Sequence, residues 1–308
     1  MVTLLLRVNI MQMKRSLLIS ILALLTYNAN AQSENYTWRA TGNPIITHKH
    51  SADPAPFVKN DTLWLYTGCD YQGNQNNYQM YEWNLYSTTD MIIWTEHPTP
   101  LKVSEFKWQN SNAAYAGHVI ERNGKWYFYV STNWCGIGVA VADSPYGPFK
   151  DAIGKPLLTT KDCPGASHSW ACIDPFVMID NDGQAWILWG NRKCFIAKLK
   201  ENMIEIEGEV SEIPITGTEF TEAPWVHKHK DKYYLTFAEG WPEKIGYAVS
   251  ESITGPYEYM GILSETAGNS NTTHGFSICR VGTPTKESTR QKSSSQKEHG
   301  KRANPLPC

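Results

Sequence analysis

Three carboxylates sit in similar phrases along the chain: Asp53 in "ADPAPFV", Asp174 in "CIDPFVM" and Glu222 in "TEAPWVH". Asp53 lies eleven residues before Trp64, Asp174 twelve before Trp186 and Glu222 eleven before Tyr233. The three therefore read as one repeat-equivalent position, each followed within two residues by a proline (Pro54, Pro175, Pro224). The matching phrase "AYAGHVI" carries no acid. A carboxylate in an apolar stretch is costly to bury. Clustered acids raise one another's pKa, which marks a convergent set as a candidate for chemistry. A recurring turn or cap residue would explain one acid per repeat. It would not explain the missing acid in the second repeat or the switch from Asp to Glu in the fourth. The chain has no phosphate loop, Ser-His-Asp spacing or zinc-ligand pattern, and paired carboxylates alone suit glycoside hydrolysis. Its inverting form needs one protonated acid and one ionised base about 6.5–9.5 Å apart, with a water between them.

The elements that must position these acids repeat as well. "VKNDTLWLYTG", "ERNGKWYFYVS", "IDNDGQAWILWG" and "HKHKDKYYLTFAEG" each place turn residues before an aromatic strand. Asn-Asp, Asn-Gly, Asp-Gly and Lys-Asp fall at the expected hairpin tips. Trp64, Trp126, Trp186 and Tyr233 open the strands at spacings of 62, 60 and 47 residues. A second shared pattern follows each one, and two copies carry Gly-Pro-aromatic (Gly147-Pro148-Phe149 and Gly255-Pro256-Tyr257). Ile137, Val139 and Val141 alternate as a half-buried strand requires, and no long stretch has helical periodicity. Repeats of this length with several short antiparallel strands describe propeller blades. A β-sandwich also uses short strands, but it does not ordinarily repeat one motif four times. The expectation is an all-β propeller. The first strand of each blade lines the channel, so equivalent positions on different blades face one another.

Composition narrows the class. The 308 residues carry a formal charge of −2, with 12 Trp, 16 Tyr and only 19% charged residues. The near-balance argues against a nucleic-acid partner, which would call for a basic patch. At the N-terminus, Lys14 and Arg15 precede "SLLISILALL", and "NANA" ends at Ala31. That is a positive region, a short apolar region and a small-residue cleavage site. The apolar run is short for a bilayer span. The reading is a signal peptide over 1–31, Met13 as a plausible start, and a secreted or periplasmic protein beginning near Gln32, with no membrane span in the mature chain. The seven cysteines (69, 135, 163, 172, 194, 279 and 308) include no CxxC pair. Cys163 and Cys172 could form a disulfide in an oxidising compartment. Buried free thiols are an equal reading.

At "ADPAP", "IDPFVMIDNDGQAWILWG", "TEAPW", "KDKYYLTFAEG" and "GVAVADSPYGPFKD" the chain resembles glycoside hydrolase family 43, over about Asn43 to His274. The resemblance implies a five-bladed β-propeller. It also implies inverting release of α-L-arabinofuranosyl or β-D-xylosyl units from plant cell-wall polysaccharide such as arabinoxylan, xylan or arabinan. Carried over by residue, Asp53 matches the general base and Glu222 the general acid. Asp174 matches the third acid, which orients Glu222 and raises its pKa. No cofactor is required. Many members hold calcium or another ion in the channel beside a histidine, which His274 in "NTTHG" matches. Sugars expose C–H faces that pack on rings, so Trp94, Trp108, Trp170, Trp225 and Trp241 are platform candidates. Trp225, three residues after Glu222, is the first choice. His118, in the acid-free repeat, could touch substrate or serve a structural hydrogen bond.

The pattern stops near Gly275. No fifth aromatic strand follows His274, and from Thr283 the chain is rich in Lys, Arg, Ser and Glu, the composition of a disordered tail. The expected organisation is a propeller domain over 32–274 with its last blade incomplete, and an aberrant tail over 275–308. A frame change or truncated gene would account for it. The alternative function is a carbohydrate-binding propeller whose turnover is impaired.

Overall fold

The computed structural model describes residues 35–71, 79–109, 113–132, 136–266 and 272. The chain divides into a short unit, Met1–Tyr36, and a large one, Thr37–Cys308. Of the short unit, Asn35 and Tyr36 are described.

The described residues form four sheets. The first holds β1 (Tyr36–Arg39), β2 (Ala52–Lys59), β3 (Thr62–Asp70), β4 (Met80–Thr88) and β5 (Ile93–Lys102), in the order β1-β5-β4-β3-β2. The second is a meander of β6 (Ala114–Arg122), β7 (Lys125–Thr132), β8 (Gly136–Ala142) and β9 (Lys150–Asp151). The third is a meander of β10 (Phe176–Ile179), β11 (Ala185–Trp189), β12 (Phe195–Leu199) and β13 (Ile206–Glu212). The fourth comprises β14 (Ile215–Thr216), β15 (Phe220–His229), β16 (Lys232–Glu239), β17 (Lys244–Ser250) and β18 (Tyr257–Ser264). Its order is β14-β18-β17-β16-β15, with β14 parallel to β18. This is the propeller arrangement expected from the repeat. The segment in which the fifth blade was expected to fail lies outside the described residues.

Local chemistry sets the hairpins. Asn60 and Asp61 (φ 52° and 56°) and Asn123 and Gly124 (φ 54° and 80°) have positive φ at both central positions. That is the type I′ geometry matching strand twist. Packing then follows the period of two. Phe128 and Val130 of β7 join Trp83 and Leu85 of the first sheet in one core cluster. Tyr129 between them joins Ile187 and Trp189 of the third sheet in the next. Leu188, on the other face of β11, meets Leu235 and Phe237 of the fourth sheet. Strands buried on both faces are why the aromatic runs are nearly continuous rather than alternating. Each large side chain so buried contributes about 1.5–3 kcal/mol. The far face of the first sheet buries Leu63, Leu65, Tyr86 and Trp94 under Trp38, Ile45 and Ile46.

Candidate active site

The inner strands β2, β6 and β15 share one irregularity. Pairing with the next strand skips between Ala52 and Ala55, between Ala114 and Gly117, and between Glu222 and Trp225. A bulge of this kind bends a strand and re-aims a side chain. Within the skip, Asp53 (φ 50°) and Ala223 (φ 56°) are left-handed, and Asp174 (φ 55°) takes the same conformation just before β10. Each is followed directly by proline: Pro54, Pro224 and Pro175. The left-handed region costs an L-residue roughly 1–2 kcal/mol and is most tolerable for Asp and Asn. Held strain of this sort clusters at working sites.

This register corrects one expectation. Asp53 and Asp174 are equivalent, but their counterpart in the fourth sheet is Ala223. Glu222 stands one residue earlier, level with Ala52. Counting back to an aromatic misaligned the copies. Ala55 pairs with Tyr66 as Trp225 pairs with Thr236. Trp64 therefore corresponds to Tyr234, not Tyr233.

Asp53 and Asp174 line one cavity with Pro54, Pro175, Ala223 and Pro224, at the end of the inner strands where the bulges lie. Its volume is about 40 Å³, room for a water-sized occupant. Asp174 is buried, and its backbone N–H donates to Ser131 Oγ of β7 at 2.9 Å. The Ser131 hydroxyl in turn donates to Ala116 O at 3.2 Å. The second sheet thus clamps the acid that leads into the third.

The loop from β11 to β12 supplies the remaining support through three consecutive residues. Gly190 N–H donates to Ile173 O, directly before Asp174, at 2.9 Å. Asn191 Nδ2 donates to Glu222 Oε2 at 2.6 Å, and the two residues also form a backbone bridge. Arg192 N–H donates to Thr221 O at 2.6 Å. One loop therefore sets both the buried acid and Glu222. Glycine is required at 190: with φ +139°, an added Cβ would stand 2.0 Å from Lys193 O. Sequence reading missed Asn191, whose only hint was its place right after an aromatic strand. It also missed Asp70. That carboxyl is held above its ordinary pKa by desolvation and then by the charge of Asp53, with His50 opposing.

His118 is a brace. It is 5% exposed, and its Nδ1 accepts from Val177 N–H at 3.2 Å. Its ring lies 4.7 Å from Phe176 and 4.9 Å from Trp225. Burial pushes its pKa down to about 3, so the imidazole is neutral. Trp225 borders the acid cavity and packs on Phe176 at 4.8 Å. Trp170 is 40% exposed beside His168, outside the acid cavity. Trp94 is corrected from sugar platform to core. It is 1% exposed, stacked on Trp38 on the far face of the first sheet, so no ligand can reach its ring. Trp108 packs on Phe106. Among the described residues Cys69, Cys163, Cys172 and Cys194 are free thiols, and all but Cys69 are buried. His274 lies outside the described residues. Among those described, no group of three His, Cys, Asp or Glu is placed to hold a metal. No described helix is long and apolar enough to cross a membrane.

Fold and site together define a β-propeller with a carboxylate centre on its inner strands. The sequence profile for "Glycosyl hydrolases family 43" matches residues 41–275, and the chain belongs to that family. It is 30% identical over 270 residues to an arabinoxylan arabinofuranohydrolase of Bacillus subtilis, covering 73% of this chain and 52% of the relative. It is 29% identical over 233 residues to a β-D-galactofuranosidase of Aspergillus niger, covering 70% and 65%. The chain thus spans between half and two thirds of the length of these relatives. Among solved structures, an α-L-arabinofuranosidase of Clostridium thermocellum superposes with a TM-score of 0.67 at 29% identity, over 77% of this chain and 81% of that one.

Proposed function

We propose that this chain is an inverting glycoside hydrolase that removes α-L-arabinofuranosyl or β-D-xylosyl units from arabinoxylan-type polysaccharide. Asp53 takes the proton of the attacking water, Glu222 protonates the leaving oxygen, and Asp174 orients Glu222. Only water is consumed. The observation that carries this reading is the convergence of Asp53, Asp174 and the Ala223-Pro224 flank of Glu222 on one water-sized cavity, from three different sheets. The names of the relatives support the substrate class.

The test is a panel of aryl α-L-arabinofuranoside, aryl β-D-xyloside and arabinoxylan, given to wild type, Asp53→Asn and Glu222→Gln. Each substitution is expected to lower turnover by about 10²–10⁴, and the first product anomer seen by NMR is the inverted one. Variants as active as wild type, or a retained anomer, would refute the assignment. Arabinoxylan binding without turnover in any of the three favours the carbohydrate-binding reading. The protein is exported after removal of residues 1–31, so N-terminal sequencing of secreted material should begin at Gln32. An ion beside His274 is a separate proposal, tested by metal analysis of wild type and His274→Ala.

A further inference from the structure

We propose that the groove between the third and fourth sheets, beside Glu222, holds the main chain of a polymeric xylan on the leaving-group side of the scissile bond, with Trp241 as its stacking platform. This rests on the reading of Glu222 as proton donor.

The groove is about 720 Å³, with Phe220 and Ile213 in its lining and Arg192, Thr221 and Trp241 among its walls. That lies in the range of sites that take ligands of several rings. It reaches Thr221, the residue directly before the acid in β15, and Arg192 in its wall is joined to Thr221 by the same loop whose Asn191 holds the Glu222 carboxyl. A proton donor faces the oxygen of the departing chain. The sugars beyond that oxygen therefore pass the residues around Glu222, not those around Asp53.

Trp241 is 68% exposed, above every other large apolar side chain among the described residues. An indole left in water is apolar surface waiting to be covered, and its flat face fits the C–H face of a pyranose. It is not alone at this end of the ring. Tyr71 and Tyr81, 52% and 37% exposed, follow or open strands whose pairing places them at the same end as Asp53. Exposed Met91 and Ile92 lie at the opposite end, beyond Thr88. The groove's charges balance: Arg192 and Lys193 face Glu212 and Glu219, and Lys193 is paired with Glu212 at 2.6 Å. A lining with two charges of each sign suits a neutral, hydroxyl-rich chain rather than an anionic one.

The experiment compares wild type, Trp241→Ala and Trp241→Phe on soluble arabinoxylan and on 4-nitrophenyl α-L-arabinofuranoside. It adds retardation in native gels cast with arabinoxylan or with polygalacturonan. Trp241→Ala should lower the polymer-to-aryl ratio of kcat/KM about tenfold, mainly through KM. Trp241→Phe should restore most of it, and arabinoxylan should retard wild type but not Trp241→Ala. An unchanged ratio, equal losses on both substrates, or equal retardation by polygalacturonan would each overturn the proposal. If wild type is retarded through Trp241 yet cleaves neither substrate, the hydrolase reading fails and the groove stands. If wild type cleaves both and Trp241→Ala is retarded like wild type, the groove fails and the hydrolase reading stands.

Discussion

Replacing His118 with asparagine should remove a pH dependence of stability that lies at the centre of the ring. The folded protein holds this imidazole buried, with its pKa near 3. In the unfolded chain it titrates near 6.5. As pH falls below 6.5 the unfolded state takes up a proton that the folded state refuses. The contribution is therefore absent above that pH and grows as a penalty of up to about 1.4 kcal/mol per pH unit until about pH 3. Between pH 7.5 and 5.0 the penalty comes to about 2 kcal/mol, in a window above the ordinary titration of carboxylates. His97 and His168 are also lowered, each first by desolvation, and act in the same direction, so the informative quantity is the difference between variant and wild type. Asparagine keeps an acceptor near the position of Nδ1 for Val177 N–H. It loses the ring contacts to Phe176 and Trp225, which lowers stability by about 1–3 kcal/mol at every pH. Urea unfolding followed by tryptophan fluorescence at the two pH values separates slope from offset. If the variant shows the full wild-type loss between pH 7.5 and 5.0, His118 is not buried neutral and the brace is wrongly drawn.

Two further substitutions test the loop that sets the acids. Asn191→Ala removes the hydrogen bond that Asn191 Nδ2 donates to Glu222 Oε2, worth about 0.5–1.5 kcal/mol. Turnover of a poor alkyl leaving group should fall about tenfold or more, while a dinitrophenyl glycoside, which needs little protonation, should be largely spared. Equal losses on the two would show that Asn191 does not position the proton donor. Gly190→Ala drives a Cβ to 2.0 Å from Lys193 O and should cost about 2 kcal/mol or more of stability. Thermal unfolding reads the cost directly, and an unchanged Tm would contradict the described loop.

The sheets were legible because turn chemistry and strand pattern agree. Asn60-Asp61 and Asn123-Gly124 encode their hairpins, and the double-sided burial of Phe128 and Tyr129 follows from the run that contains them. The approach of Asp53 and Asp174 to one cavity was foreshadowed as well, since a charge inside an apolar, proline-marked phrase stands out. The register of Glu222 was not. β16 carries two adjacent tyrosines, and counting from Tyr233 rather than Tyr234 shifts this copy by one residue, while the left-handed turn falls on Ala223, a residue with no preference for it. The role of Asn191 was hidden because its partner is 31 residues away and the contact depends on how two sheets meet. Trp94 misled for a related reason. An aromatic residue announces burial or a platform with the same letter, and only the cover supplied by Trp38 decides between them.

Asp53 belongs to β2 and Glu222 to β15, in sheets that do not share a strand. A chain that has made all its hairpins, with full β-sheet signal, still has no site until separate sheets dock across 169 residues of sequence. Pairings so distant in sequence form late and slowly. Turnover then serves as a clock for the last stage of folding, and on refolding it should return after the backbone spectrum has already recovered.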